Sequence, residues 1–144
     1  MSSPEVRTAF KDRMENDWDK AAEYDLVDIS NKHIDRGENT DSWFAIEFPG
    51  GNEDQVSIGS PDNNLHRESG IVNIYMMIEA GKGVDEDLPI LESVRNLFRA
   101  KQFAGVETFA ADPPSTTDKI SPATIQGNWY IIGTTIDYTY DRRG

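Results

Sequence analysis

Two segments in which apolar and polar side chains alternate constrain this chain most, because a period of two belongs to half-buried β-strands. In residues 129–140 one side carries tyrosine, isoleucine and threonine at every second position, from Tyr130 to Tyr140. In residues 71–80 one side carries a regular apolar set: Val72, Ile74, Met76 and Ile78. Both segments are therefore predicted to be strands with one face against a core.

Two other segments repeat apolar residues at helical spacing. The first begins after Ser3, a favourable N-cap, and fades near Ala22; the second begins after Asp87 and is stopped by Ala104-Gly105. We expect one core to hold the apolar sides of helices and strands together: Phe10, Met14, Ile74, Met76, Val94, Leu97, Phe98, Ile132 and Ile136.

Shorter patterns complete the order of elements. Residues 43–48 alternate as a strand, Pro49-Gly50-Gly51-Asn52 is a turn signal, and residues 55–60 are predicted to return as a second strand. Residues 106–111 are a further strand, and the Pro-, Ser- and Thr-rich residues 112–126 are predicted to form a long exposed loop. The order is therefore α-β-β-β-α-β-β. We predict an α+β fold, a mixed or antiparallel sheet with two main helices packed on one face.

The length of 144 residues fits one domain, and no linker separates two apolar regions, so residues 1–144 are predicted to form a single domain. Two helices can cover only one face of the sheet. The other face would carry an apolar set too large to leave in water: Trp43, Tyr75, Met77, Trp129 and Ile131. This set is our candidate self-association face.

Residues for catalysis or metal binding are not found in a recognisable arrangement. The chain has no cysteine, which excludes thiol nucleophiles and thiolate metal sites, and His33 and His66 stand apart in polar stretches. Gly81-Lys82-Gly83 precedes a helix but lacks the spacing of a phosphate loop, and Asp85-Glu86-Asp87 would repel phosphate. We therefore expect no catalytic, cofactor-binding or metal site, and no enzyme activity.

The net charge of −12 argues against equilibrium binding to nucleic acid, which needs clustered Lys and Arg. The longest apolar run, residues 74–78, is far short of the ~20 residues of a membrane span. The N-terminal residues 1–5 show no basic segment followed by an apolar one, so no signal peptide is expected.

Short signatures along most of the chain, in order, resemble one known family. They are SPEVRTAF at residues 3–10 with Trp18, WFAIEFPGG at residues 43–51, RESG at residues 67–70 before the strand at 71–80, the second helix, DPP at residues 112–114 and GNWY at residues 127–130. In this layout the chain is similar to bacteriophage tail terminator (tail completion) proteins, the group that includes the lambda minor tail protein U.

The resemblance implies a small α/β domain that assembles into a hexameric ring. Such a ring caps the tail tube, ends its polymerisation and presents a surface to the head connector, or neck protein, while DNA passes through the lumen. It also implies a place in the virion, at the head–tail junction, after assembly in the host cytoplasm, with no cofactor and no catalytic residues. An acidic lumen would let DNA pass without holding it, and the charge of the chain permits one.

Two alternatives remain open beside this expectation. One is a different head–tail or neck completion protein of similar fold, which would bind the connector without ending the tube. The other is a small-ligand-binding α+β domain that uses a cavity between sheet and helices. An enzyme with an unreadable site is the least supported, since every catalytic motif is missing.

Overall fold

A computed structural model describes residues 2–59, 63–116 and 125–143 of the chain. Helices α1 and α2 and strands β1 to β9 are found within these residues, in the order α1, β1–β4, α2, β5–β9. Their bounds are α1 Pro4–Asn16, β1 Leu26–Asp28, β2 Ile34–Asp35, β3 Trp43–Gln55, β4 Leu65–Glu79, α2 Leu88–Phe98, β5 Gln102–Phe103, β6 Val106–Ala111, β7 Ser115–Thr116, β8 Ile125–Gln126 and β9 Trp129–Arg143.

One mixed sheet dominates the molecule and curls into a half-barrel. Its strand order is β1-β3-β4-β9-β6-β5, with β7 paired to β9 beside β6. Of the three long central strands, β4 runs antiparallel to both β3 and β9, and β1 is parallel to β3. A separate parallel pair joins β2 to β8.

The predicted α+β class is wrong, because the chain is mainly β. Strands hold 45% of the residues, about twice the usual 20–25%. The excess comes from polar sequence: β4 begins at Leu65 and β9 ends at Arg143, beyond the alternating apolar segments that predicted them. Polar residues continue a strand when a neighbouring strand satisfies the backbone, and apolar periodicity does not reveal this.

The predicted turn at Pro49-Gly50-Gly51-Asn52 is also wrong. Strand β3 runs through these residues and pairs with β4 on both sides of an irregularity between Glu47 and Gly50. Gly50 has φ 144°, which suits glycine, and a bulge of this kind bends the strand without reversing it. The chain instead turns back between β3 and β4, where Val56 N donates to Leu65 O at 2.8 Å.

The main core lies between the helices and one face of the sheet. Of the nine residues predicted for it, eight are buried there, and Leu97 packs against it partly buried. Phe10 of α1 stacks on Phe98 of α2 with ring centroids 5.3 Å apart, and Trp18 lies edge-on to Phe44 at 5.2 Å. The regular helix α1 ends at Asn16, earlier than predicted, and turns after it keep Trp18 in the core.

The ends of the predicted loop at residues 112–126 form short strands, β7 and β8, so the prediction of a wholly irregular loop is wrong there. Its middle, residues 117–124, lies outside the described residues. No helix in the described part of the chain has the length and apolar character needed to cross a membrane.

Candidate functional site

The structure brings the five predicted self-association residues together on the sheet face opposite the helices. Register explains this, because Trp43 lies opposite Met77, and Met77 lies opposite Ile131 on the next strand. Trp43 and Trp129 meet edge to face with centroids 6.0 Å apart. These residues form a second, smaller apolar cluster.

The chain itself covers part of this second cluster. Trp43 and Met77 are fully buried, whereas Tyr75, Trp129 and Ile131 are half-buried. The cover comes from the segments around β1, β2 and β8, which contribute Val27, Ile29, Ile34 and Ile125. Trp43 and Met77 therefore cannot touch a second copy while the cover is in place, and self-association through the other three stays a prediction.

A polar network borders the second cluster. Glu47 Oε1 accepts hydrogen bonds from Asn73 Nδ2 at 3.0 Å and from the Tyr75 hydroxyl at 3.3 Å, and Thr135 Oγ1 donates to Asn73 Oδ1 at 2.7 Å. Burial, with the charge of Glu47 beside it, raises the pKa of Tyr75 to about 12. The phenol therefore stays protonated at neutral pH and acts as a fixed donor.

Beyond this network the same sheet face is uncovered and acidic. The register of the long strands and β6 places these residues side by side: Asn52, Asp54, Arg67, Ser69, Glu107, Asp137, Thr139 and Asp141. We name Asp54, Glu107, Asp137 and Asp141 the acidic sheet face, and all four are exposed. Arg67 lies among them and pairs with Asp141, with Nε to Oδ1 at 2.7 Å. Sequence reasoning missed this face because its residues come from distant strands.

The outer edge of β3 is the other open feature of the long strands. Strand β1 pairs with β3 only from Phe44 to Ile46, so, within the described residues, β3 has no outer neighbour from Glu47 to Gln55. Pro49, the bulge beside it and two carboxylates, Glu53 and Asp54, interrupt this edge. Such devices discourage edge-to-edge pairing, so the edge is protected rather than prepared for strand addition.

On the helix side the N-terminal segment closes the end of the core. Tyr138 Oη donates to Glu68 Oε2 at 2.6 Å and lies 2.8 Å from Ser2 Oγ, and all three residues are buried. Burial and the hydrogen bond to Glu68 hold the pKa of Tyr138 well above its usual value. This buried network anchors the start of the chain to the middle of the sheet.

The residues considered for chemistry are placed far apart. His33 Nε2 lies 3.2 Å from Gln126 Oε1, and His66 is on β4 opposite Arg142. The described residues contain no group of three or more His, Asp or Glu that could hold a metal ion. Lys82, which lies between Gly81 and Gly83, has its Nζ 3.7 Å from Asp87 Oδ2. Its charge therefore faces a carboxylate and not an open phosphate loop.

Comparison with known proteins adds information on the fold alone. No protein-family description matches the chain, and no curated protein does. One solved structure is similar, and its name states no function. The match covers 97% of this chain and 96% of that protein's chain, at 15% sequence identity and a TM-score of 0.59. At this identity the two proteins share a fold, and a fold does not define an activity.

Proposed function

We propose that this protein is a non-enzymatic, structural virion protein of the tail terminator type. In this role it closes the end of a bacteriophage tail tube as a ring, hexameric in the family it resembles, and ends tube polymerisation. It forms the tail side of the head–tail joint. Its partners would be further copies of itself, the tail-tube protein and the head connector, with DNA passing through the lumen.

The observation that carries the proposal is the acidic sheet face. Four exposed carboxylates lie together on a broad, uncovered part of the sheet. Within the described residues, Arg67 is the one arginine that lies among them. A wall of this kind repels phosphate and releases no counterions on contact with DNA, so DNA can move along it without being held. The sequence layout at residues 43–51, 67–80 and 127–130, all in the long central strands or their borders, supports the same role.

The small-ligand alternative is not favoured by the packing. The space between helices and sheet is filled by Phe10, Phe98 and Phe103, whose ring centroids are 5.3–5.8 Å apart. A groove beside α1 and β1 measures about 130 Å³, below the ~300–1,000 Å³ of typical ligand pockets. A larger groove of about 580 Å³ at the start of α2 is lined mostly by polar and charged residues, whereas ligand pockets are lined mostly by apolar ones.

Electron microscopy of tail-tube assembly tests the proposal. Purified tail-tube subunits are polymerised with and without this protein and imaged in negative stain. We expect rings at one end of the tubes and tubes that stop growing once capped. Tubes of unchanged length with no protein at their ends would contradict the proposal, and binding to the connector without an effect on tube length would favour the neck-completion alternative.

A further inference from the structure

Two regions of opposite charge lie at opposite ends of helix α2. The first is a groove of about 580 Å³ at the start of α2, where the chain enters β1 and β3 and leaves β4. We name it the acidic groove, after its carboxylates: Glu23, Asp41, Glu79, Glu86 and Asp87. Lys82 is the one basic residue among the described residues that line it.

One carboxylate oxygen of the acidic groove, Asp87 Oδ2, has no hydrogen-bond donor among the described residues. The residue is only 5% exposed, yet its Oδ2 accepts no hydrogen bond, and Lys82 Nζ stays 3.7 Å away. A buried carboxylate oxygen without a donor leaves the charge of Asp87 poorly compensated, so the groove attracts a further cationic group.

The second region is a pair of exposed cations at the end of α2. Among the basic side chains that the structure describes, eight have a carboxylate within 4.0 Å. Arg99 and Lys101 are among those without one, and within the described residues the Arg99 side chain donates to Asn96 Oδ1 of its own helix alone. They are separated by a single residue, so together they present two unpaired positive charges in a chain of net charge −12.

The fold keeps these two regions apart within one copy. The acidic groove includes the first turn of α2, whereas Arg99 and Lys101 follow the last residue of this 11-residue helix, on the side of β5, so about 16 Å of helix separates them. Backbone bonds fix the cationic pair on that side, with Ala100 N donating to Phe109 O at 2.9 Å and Thr108 N donating to Lys101 O at 2.8 Å. A contact between them therefore has to join two copies, head to tail, as the subunits of a ring are joined.

We infer that Arg99 and Lys101 of one copy bind in the acidic groove of a second copy of this chain. The inference rests on the proposed ring and names the contact that closes it. Because the two surfaces carry opposite charge, only a head-to-tail contact brings the cationic pair of one copy to the groove of the next. A symmetric contact would place two cationic pairs, or two acidic grooves, against each other, and like charges repel. The side chains reach the groove from the edge of the neighbouring sheet, and their charges offset the excess of carboxylates there.

Charge reversal on each side tests the contact by sedimentation velocity at about 0.15 M salt, where charges beyond ~8 Å are screened. One variant carries Arg99→Glu and Lys101→Glu, and the other carries Glu23→Lys and Glu86→Lys. We expect each variant alone to need about tenfold more protein, or more, to assemble than the wild type does. An equimolar mixture of the two should regain assembly, because each reversed surface again meets its opposite.

The matched control compares Lys101→Glu with Lys32→Glu, since both are exposed lysines without an ion pair and the charge change is the same. Only Lys101→Glu should weaken assembly, and circular dichroism confirms that both variants fold. If the wild type assembles and the reversed variants assemble equally well, or if Lys32→Glu has the same effect as Lys101→Glu, the contact is overturned while the ring proposal stands. A wild type that stays monomeric at every concentration, with and without tail-tube subunits, overturns both.

Discussion

At the scale of single residues, Asp28 joins the cover of the second cluster to helix α1. Its Oδ2 accepts from the Arg7 guanidinium and from Lys11 Nζ at 3.3 Å, and its Oδ1 accepts from Ser30 N at 3.0 Å. Burial alone would raise the pKa of Asp28, but the hydrogen bonds from Ser30 and the charge of Arg7 outweigh it and lower that pKa. The folded state therefore binds the proton of this carboxyl more weakly than the unfolded state does.

Replacing this carboxylate removes a pH-dependent contribution to stability. We expect Asp28→Asn to lower the free energy of unfolding by about 1–3 kcal/mol at pH 7, as for other hydrogen-bonded charges that lose their partner. A lowered folded pKa means that the contribution is complete above the unfolded pKa of ~4 and is lost as the pH falls through the folded value. Urea unfolding from pH 7 to about pH 2 should therefore show the difference from wild type shrinking.

Asp12→Asn is the matched control, since Asp12 is an exposed carboxylate on α1, the helix whose Arg7 and Lys11 pair with Asp28. It should change the free energy of unfolding by less than ~0.5 kcal/mol at any pH. A constant difference between wild type and Asp28→Asn across the pH range would show that the charge of Asp28 is not what stabilises this corner.

At the scale of elements, the inward side of α2 was predicted correctly, but the helix ends at Phe98 and not at Ala104-Gly105. The burial of its apolar residues is graded. Leu91, Val94 and Phe98 are buried, whereas Leu97 is half-buried at the margin of the core. Periodicity identifies which side of a helix faces inward, but the neighbours decide how deeply each residue sits.

Two leucine substitutions on α2 test this grading. Leu91→Ala should lower the free energy of unfolding by about 2–5 kcal/mol because it leaves a cavity in a closed core. Leu97→Ala should cost about half as much, since water can reach the space that it vacates. Chemical denaturation measures both, and equal losses would mean that Leu97 is closed in more than its exposure indicates.

The pairing of β3 with β4 depends on close backbone approach at Gly70. A Cβ there would lie 2.7 Å from Gly50 O and 2.9 Å from Tyr138 Oη, closer than real contacts allow. We expect Gly70→Ala to lower the free energy of unfolding by about 1–3 kcal/mol, since the strands must separate locally. Ser69→Ala, at the exposed neighbour, is the control and should leave thermal unfolding nearly unchanged; a tolerated Gly70→Ala would show that the bulge adjusts freely.

At the scale of the whole molecule, charge is distributed so that one sheet face is open and acidic while most cations are paired elsewhere. Arg142 and Glu53, for example, pair at 2.8 Å on the opposite face of the same strands. Because of this pairing, few Lys and Arg side chains are free to bind phosphate. The acidic sheet face is therefore the feature to alter in a DNA-binding experiment.

Reversing the acidic sheet face should create DNA binding that the wild type lacks. The variant carries Asp54→Lys, Glu107→Lys and Asp137→Lys, and leaves the Arg67–Asp141 pair intact. A clustered set of lysines releases counterions, so duplex DNA should bind with an affinity that falls steeply with salt in a gel-shift assay. Three reversals of exposed carboxylates on separate segments, at Asp12, Glu38 and Asp85, give the same net charge without the cluster and should bind more weakly. Tight DNA binding by the wild type would contradict the repulsive-lumen argument.

The sequence by itself determined the features that depend on neighbours along the chain. The alternation from Val72 to Ile78 predicted the buried side of β4, and the spacing around Phe10 and Phe98 predicted two one-sided helices. These hold because the period of a strand or helix is a local property of the backbone.

Tertiary structure alone decided the rest. The polar ends of β3, β4 and β9 are strands only because they pair with one another across the sheet, and this made the fold mainly β. Residues 26–35 and 125–126 cover Trp43 and Met77, although nothing in their own sequence marks them as a cover. The acidic sheet face likewise gathers residues 54, 107, 137 and 141 from three strands, β3, β6 and β9. Such groupings depend on which distant segments meet, and strand register and packing, rather than any local pattern, settle that.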